Sequence, residues 1–166
     1  MTALGKVLDA ELAAQGIDTT ALDDADYAYA TAAIRSMVCR LKTRRTWEEH
    51  IGALLSHGEV LALTGWSKQA LSQAVRDHRV LRLDGSDGHG YLLAWFDDQE
   101  PARPLPGLKE VLKTWAGVDS RGWAAASWLA SPQPELAGAT PRDALAAGLA
   151  DQVVALARQA AERLAA

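Results

Sequence analysis

The sequence predicts a mainly α fold: a helical bundle with a helix-turn-helix and one short β-hairpin, followed by a small C-terminal helical domain. Alanine and leucine are abundant whereas phenylalanine occurs once, a balance that favours helix over strand. Apolar residues recur at spacings of three and four over most of the chain, as in amphipathic helices. Most glycines and all prolines lie between these periodic stretches, where turns are expected.

The composition is that of a folded domain in a reducing compartment. The chain has 166 residues, 49% hydrophobic and 23% charged, which suits one ordinary domain or two small ones. No apolar run approaches the length of a membrane span, and the acids among the first leucines do not fit a signal peptide. Cys39 is the only cysteine, and we expect it to be a small buried hydrophobe on a helix. These features predict a soluble cytoplasmic protein without membrane association.

Charge is distributed unevenly along the chain. The net charge is −4, which by itself argues against a nucleic-acid partner. Residues 27–82, however, carry nine basic and four acidic residues, a net charge of +5, while the remainder carries eight basic and seventeen acidic residues, or −9. The basic middle could face phosphates, or it could be an ordinary solvated helix surface.

The first 45 residues are predicted to form an N-terminal helical region. A long helix is expected over residues 22–43, because its apolar residues share one face. Those residues are Tyr27, Ala30, Thr31, Ile34, Val38 and Leu41. A new helix is predicted to begin at Thr46, since Thr46 and Glu49 have the spacing of a capping box. Its core face would contain Trp47, Ile51, Leu54 and Leu55.

Residues 57–78 have the features of a helix-turn-helix. A short helix is predicted to end at Gly65, which can adopt the positive φ of a sharp turn. Trp66 would fill the angle between the helices, and Ser67 is a suitable N-cap for the second helix. The inward face of that helix would hold Leu71, Ala74 and Val75, and its outer face is polar. The alternative interpretation of these residues is an ordinary helical hairpin within a bundle.

The polar outer face predicts an interface with DNA. Amide and hydroxyl groups can pair with base edges in the major groove, and basic side chains can reach guanine or phosphate. The candidate DNA-binding residues are Ser67, Lys68, Gln69, Ser72, Gln73 and Arg76, with Arg44 and Arg45 as phosphate contacts. We expect a homodimer, because one such helix reads only a half-site.

One position departs from the usual motif. A small residue normally lies four positions before the turn glycine, where the two helices touch, but here that position is Leu61. Ala62 follows one place later, so either the alignment slips by one residue or the helices lie further apart.

A β-hairpin is predicted after the helix-turn-helix. Residues 80–83 and 91–96 are short apolar runs on either side of a loop rich in glycine and aspartate. This hairpin completes a predicted DNA-binding domain over residues 46–100. Three prolines in residues 101–106 indicate an extended linker. A C-terminal domain over residues 107–166 would then contain helices near 108–115 and 121–130, one after Thr140, and a last one carrying Val153 and Leu164.

The C-terminal region has a distinctive order of residues. A Trp128-Leu129 helix is followed by a Pro-x-Pro-x-Leu-x-Gly loop (residues 132–138) and then by Thr140-Pro141, a cap and first-turn pair that begins a new helix. The need to end one helix and to cap the next could alone explain this pattern. The order nevertheless resembles the C-terminal toxin-binding domain of the Xre/MbcA/ParS antitoxin family, and the upstream helix-turn-helix, strand pair and Pro-Leu-Pro-Gly-Leu segment extend the likeness over residues 57–160.

The resemblance implies a type II antitoxin that neutralises a RES-domain toxin, an enzyme that consumes NAD. It also implies that the complex binds operator DNA in its own promoter and represses its operon. By position, the implied toxin-binding residues are Trp128, Leu136, Gly138, Thr140, Pro141 and Leu145, with Arg158 and Arg163 on the last helix.

Other functions have weaker support in the sequence. The four histidines lack metal-ligand spacing with one another or with Cys39, and there is no phosphate loop or nucleophile elbow. Asp23, Asp24 and Asp26 lie at a predicted helix start, where acids are favourable for structural reasons. We therefore expect no enzymatic activity and no cofactor or metal. The alternatives are a stand-alone transcriptional regulator, whose C-terminal domain senses a ligand or dimerises, and an interaction module in which residues 57–78 only pack.

Overall fold

A computed structural model describes residues 2–85 and 88–166 of the protein. The chain divides into two compact units, Met1–Arg44 and Arg45–Ala166. Helices account for most of the described residues and one small sheet for the rest of the regular structure, which confirms the predicted mainly α fold. None of the helices described is long and apolar enough to cross a membrane.

The first unit contains α1 (Ala3–Ala14) and most of α2 (Asp24–Ile51). Asp23 and Asp26 cap the start of α2 reciprocally: the Asp26 amide donates to the Asp23 carboxylate at 2.9 Å and the Asp23 amide donates to the Asp26 carboxylate at 3.2 Å. These two acids therefore have the structural role that the sequence predicts. Cys39 is exposed, so the expectation that it is buried is wrong. Helical periodicity assigns a residue to a face but does not say what covers that face.

The helix predicted to begin at Thr46 does not exist as a separate element. α2 runs through Thr46 to Ile51, and Gly52 follows it with a φ of 93°. The reciprocal capping box forms instead at the next helix, where the Ser56 amide donates to the Glu59 carboxylate at 2.7 Å. Both sites have the Ser/Thr-x-x-Glu pattern, but the pattern acts as a cap only where the preceding chain leaves the helix, as it does after Gly52.

The first half of the second unit alternates strands and helices. Its elements are β1 (Leu54–Leu55), α3 (His57–Thr64), α4 (Lys68–Arg76), β2 (Leu83–Gly85) and β3 (Gly88–Leu92). The strands form an antiparallel sheet in the order β1-β3-β2. Leu54 and Leu55, predicted as helical, pair with Leu92 and Tyr91.

The hairpin is present, but its bounds differ from the prediction. β2 begins at Leu83 rather than residue 80, and β3 covers residues 88–92, part of which was predicted as loop. Ser86 and Asp87 of the predicted loop lie outside the described residues. Residues 93–95 form a 3₁₀ turn that leaves Trp95 and Phe96 buried. A continuous apolar run shows no alternation, so it could not define the strand ends.

The proline-rich segment packs against the unit. The Ala102 amide donates to the Leu63 carbonyl at 3.1 Å and the Leu105 amide donates to the Trp95 carbonyl at 2.8 Å. Ala102 and Leu105 are buried. The segment is extended as predicted, but it is an integral part of the core and not a loose tether.

Four helices complete the second unit: α5 (Leu108–Trp115), α6 (Trp123–Ala130), α7 (Pro141–Ala146) and α8 (Ala150–Ala165). Thr140 caps α7, and Pro141 occupies its first turn, as predicted. A close approach at Gly107 joins α5 to α8, because a Cβ there would lie 2.6 Å from the Ala150 Cβ. One cluster of buried residues extends from Ile51 to Ala161. The regions predicted as separate domains at 46–100 and 107–166 thus share a hydrophobic core.

Candidate nucleic-acid interface

The turn between α3 and α4 has the geometry that the sequence predicts. Gly65 ends α3 in the left-handed region with a φ of 68°, and the Ser67 hydroxyl accepts the Ala70 amide at 3.1 Å. The Thr64 hydroxyl adds two bonds, donating to the Val60 carbonyl at 2.7 Å and accepting the Trp66 amide at 3.2 Å. The two short helices are therefore joined by a turn whose ends are both capped.

The contact side of the two helices differs in detail from the usual motif. Leu71 and Ala74 of α4 are fully buried, as are Val60 and Thr64 of α3. Ala62 is exposed, so a slip of the alignment that would bring Ala62 into the core is wrong. Leu61 is half-buried and packs against the core. The bulky residue at this position is accommodated at the edge of the core.

The outer face of α4 is fully polar and exposed. It presents the five predicted residues Lys68, Gln69, Ser72, Gln73 and Arg76. Gln73 is held at both ends of its amide: Nε2 donates to the Asp77 carboxylate at 2.8 Å, and Oε1 accepts from the Arg76 guanidinium at 2.8 Å. This chain of hydrogen bonds orients Arg76, while Lys68 and Gln69 lie in the first turn of the helix.

An aromatic and cationic cluster supports the C-terminal side of α4. Trp66 is half-buried and meets the ring of Phe96 edge-on at 6.4 Å between centroids. The Arg79 guanidinium carbon lies 5.6 Å from the Trp66 ring centroid, within the range of a cation–π contact. The Arg79 Nε is also 3.8 Å from the Asp77 carboxylate. Arg79 is thus fixed near the end of α4, where its charge adds to that of Arg76.

The β-hairpin follows α4 directly and carries two further polar groups. The Asp84 carboxylate accepts from Arg82 Nε at 3.1 Å, and it lies 2.7 Å from the ring Nδ1 of His89. Strand β1 precedes α3 and strands β2 and β3 follow α4, so the strands of the sheet flank the two helices in the chain. The sequence reasoning missed β1, because two leucines are too short a run to indicate a strand.

The remaining predicted DNA contacts are Arg44 and Arg45. Arg44 is exposed at the end of the first unit, and Arg45 is exposed at the start of the second. Their role as phosphate contacts stays a prediction.

A second surface feature lies among the C-terminal helices. A groove of about 350 Å³ is lined by six apolar and three polar residues: Trp115, Ala124, Trp128, Leu156, Ala160 and Leu164, with Gln133, Glu135 and Arg163. The Trp115 and Trp128 rings are 5.7 Å apart. Gln152 Nε2 donates to the Glu135 carbonyl at 3.0 Å, which ties the loop before α7 to α8.

The predicted toxin-binding residues divide into three groups in the structure. Trp128 and Arg163 line the groove. Leu136, Pro141 and Leu145 are buried, and Thr140 caps α7 by accepting the Asp143 amide at 3.1 Å. Gly138 and Arg158 are exposed but do not line the groove. Half of these residues therefore shape this region, and the other half lie at an accessible surface.

The Thr140 cap also affects a titrating group. Hydrogen bonding by the Thr140 hydroxyl, together with the neighbouring Arg142 guanidinium, lowers the pKa of the Asp143 carboxyl below its ordinary value. Arg142 Nη1 donates to this carboxylate at 3.1 Å. Across residues 2–85 and 88–166, no three His, Cys, Asp or Glu side chains come together in a way that could hold a metal ion.

Comparison with known proteins gives one structural likeness. No family model matches the chain, and no curated protein matches it. The NMR structure of Rv2175c has a TM-score of 0.56 to this chain at 22% sequence identity, over 66% of this chain and 81% of that chain. At this level of identity the likeness supports the fold alone.

Proposed function

We propose that the protein is a DNA-binding transcriptional regulator that reads the major groove with α4. The observation that carries this proposal is the uninterrupted polar face of α4, in which Lys68, Gln69, Ser72, Gln73 and Arg76 are all exposed. A polar outer face is ordinary on an amphipathic surface helix; what favours DNA is that amide, hydroxyl and basic groups lie together on the second helix of a capped turn. Here the helix follows a capped turn and precedes a hairpin, so it presents its outer face as a unit.

The chemistry of the face suggests a division of roles. Recognition helices present their N-terminal residues to base edges, which favours Lys68 and Gln69 as the groups that read sequence. Gln73 already uses both amide atoms within the protein, and its expected role is to orient Arg76. Arg76 and Arg79 would then bind phosphates and supply affinity that is independent of sequence.

We propose further that the protein acts as the antitoxin of a RES-domain toxin and represses its own operon. The support is the resemblance of residues 57–160 to the Xre/MbcA/ParS family, together with the apolar groove that contains Trp128 and Arg163. A groove lined mainly by apolar residues, with charged residues among them, is the kind of surface to which a protein segment can bind. In the alternative, a stand-alone regulator, this groove would bind a small ligand.

Selection of duplexes from a randomised DNA library tests the first proposal. The intact protein should enrich one sequence, and Lys68→Ala with Gln69→Ala should change or abolish that preference. Arg76→Ala should instead weaken binding to all duplexes by a similar factor. Lys109→Ala, on helix α5, is the matched control and should bind as the parent does. Absence of any enriched sequence, with binding no tighter than that of the Lys68/Gln69 variant, would refute the proposal.

Co-expression with a RES-domain protein encoded next to this chain tests the antitoxin proposal. We expect the neighbour to stop growth when expressed alone and this protein to restore it. Trp128→Glu should abolish the rescue, whereas Lys68→Ala with Gln69→Ala should leave it intact. A toxic neighbour that this protein does not neutralise would disprove the antitoxin role and favour the stand-alone regulator.

A further inference from the structure

The first unit leaves a regular row of large apolar side chains in solvent. On α2, the exposed fractions are 55% for Tyr27, 43% for Ile34 and 46% for Leu41. These three residues are spaced by seven, and Ala30 and Met37 lie between them at the intervening heptad positions. Such a row forms a continuous seam on one side of a helix. Single exposed apolar residues are ordinary, but a contiguous row indicates an interaction surface.

The charges around this seam are separated along the helix. Asp23, Asp24 and Asp26 lie at its beginning, and residues 27–34 carry no charge. Residues 35–44 carry four basic residues and no acidic one: Arg35, Arg40, Lys42 and Arg44. Two such helices side by side in parallel would bring like charges together. In the antiparallel orientation each acidic end lies beside the basic end of its partner, and the helix dipoles are opposed as well.

We propose that this seam binds the same seam of a second copy of the chain, as an antiparallel pair with Ile34 at the two-fold axis. In that register Tyr27 faces Leu41 of the other copy. Residues 24 and 26 then lie level with residues 44 and 42, so that the acidic end of each helix lies beside the basic end of its partner on both sides of the axis. An isologous contact of this kind closes on itself and gives a dimer.

The available surface extends beyond the seam of α2. Residues 24–44 correspond to about 32 Å of helix at 1.5 Å per residue. Leu4, Val7 and Leu8 of α1 are also exposed, by 59%, 64% and 47%. Both helices of the first unit therefore carry exposed apolar side chains. The interface assigned here uses no residue of α4, and Arg44 is the one residue that it shares with the proposed DNA contacts.

The mass of the full chain in solution tests the proposal. Sedimentation over a wide range of concentration should show a reversible dimer of twice 17.7 kDa. Ile34→Glu puts two like charges at the two-fold axis and should give a monomer with unchanged helical content. Ala32→Glu, on the opposite face of α2, is the matched control and should still dimerise. A chain that is monomeric throughout, or a dimer that Ile34→Glu does not weaken, would overturn the proposal.

Cross-linking determines the orientation of the two helices. In a Cys39→Ala background, Tyr27→Cys combined with Leu41→Cys should form an intermolecular disulfide under mild oxidation, because the two positions face each other. Leu41→Cys alone should remain reduced, since the two copies of residue 41 lie at opposite ends of an antiparallel pair. Efficient cross-linking by the single variant would demonstrate a parallel arrangement and refute the proposed one.

Discussion

The indole Nε1–H of Trp123 donates a hydrogen bond to the backbone carbonyl of Asp84 at 2.9 Å. Trp123 is the first residue of α6 and Asp84 lies in β2, 39 residues earlier. Arg121 donates to the same carbonyl from Nη2 at 3.1 Å. A Cβ on Gly122 would lie 2.8 Å from Leu81 Cδ2, so the two segments also touch closely. The hairpin is thereby attached to the C-terminal helices.

Trp123→Phe should destabilise the protein by about 1 kcal/mol more than Trp128→Phe does, the typical net value of one hydrogen bond. Both changes replace an indole with a smaller ring, and Arg121 still satisfies the carbonyl in the Trp123 variant. Urea unfolding of parent and variant provides the measurement. Trp128→Phe is the control, since its indole donates no hydrogen bond to the part of the chain that is described. Equal losses in the two variants would contradict the assigned role of the Trp123 bond.

Two glycines near the turn should respond to alanine with opposite signs. Gly65→Ala should destabilise the protein by about 1 kcal/mol, because φ is 68° there and a side chain disfavours that conformation. Gly58→Ala, within α3, should stabilise it by about 0.5 kcal/mol by restricting the unfolded chain. Neither added Cβ would meet an atom within 4 Å, so the backbone alone decides the sign. Thermal or urea unfolding of both variants would check this, and a change of the same sign in both would contradict it.

Asp143 should contribute a pH-dependent part of the stability. The folded-state pKa of its carboxyl is lowered by Thr140 and Arg142. The contribution is therefore complete above the ordinary carboxyl pKa of about 3.9 and is lost as the pH falls through the lower folded-state value. Asp143→Asn should be less stable than the parent at neutral pH, and the difference should disappear in strong acid. Urea midpoints across this range test it; a gap that stays constant with pH would count against it.

Arg44→Ala with Arg45→Ala should weaken DNA binding without changing its sequence preference. If both side chains contact phosphates, the slope of log K against log salt should become shallower by about 2, close to one unit per lost contact. Binding titrations at several salt concentrations measure the slope. Lys109→Ala with Lys113→Ala removes the same charge from α5 and should leave the slope nearly unchanged. If both double variants shift it equally, general charge and not specific contact explains the effect.

Local signals in the sequence predicted the turn at the candidate site correctly. Gly65, Ser67 and the buried pair Leu71 and Ala74 act through their nearest neighbours in the chain, by backbone conformation, capping and helical spacing. The capping box was placed wrongly at Thr46 because the same four-residue pattern occurs twice, and the course of the longer chain selects between the two copies.

Features that depend on contacts between distant residues could not be predicted from local sequence patterns. β1 pairs Leu54 with Leu92, and a strand of two residues gains its hydrogen bonds only from that distant partner. The exposure of Cys39 likewise depends on which elements pack together.

Spacing along single segments was therefore enough to predict the helical composition, the turn between α3 and α4 and the polar face of α4. The packing of distant segments decides that the predicted DNA-binding and C-terminal regions share one core. It also decides that Trp128 and Arg163 line a common groove and that the seam of α2 is left in solvent. Burial and proximity are properties of packed surfaces, and they are fixed when distant segments exclude water together.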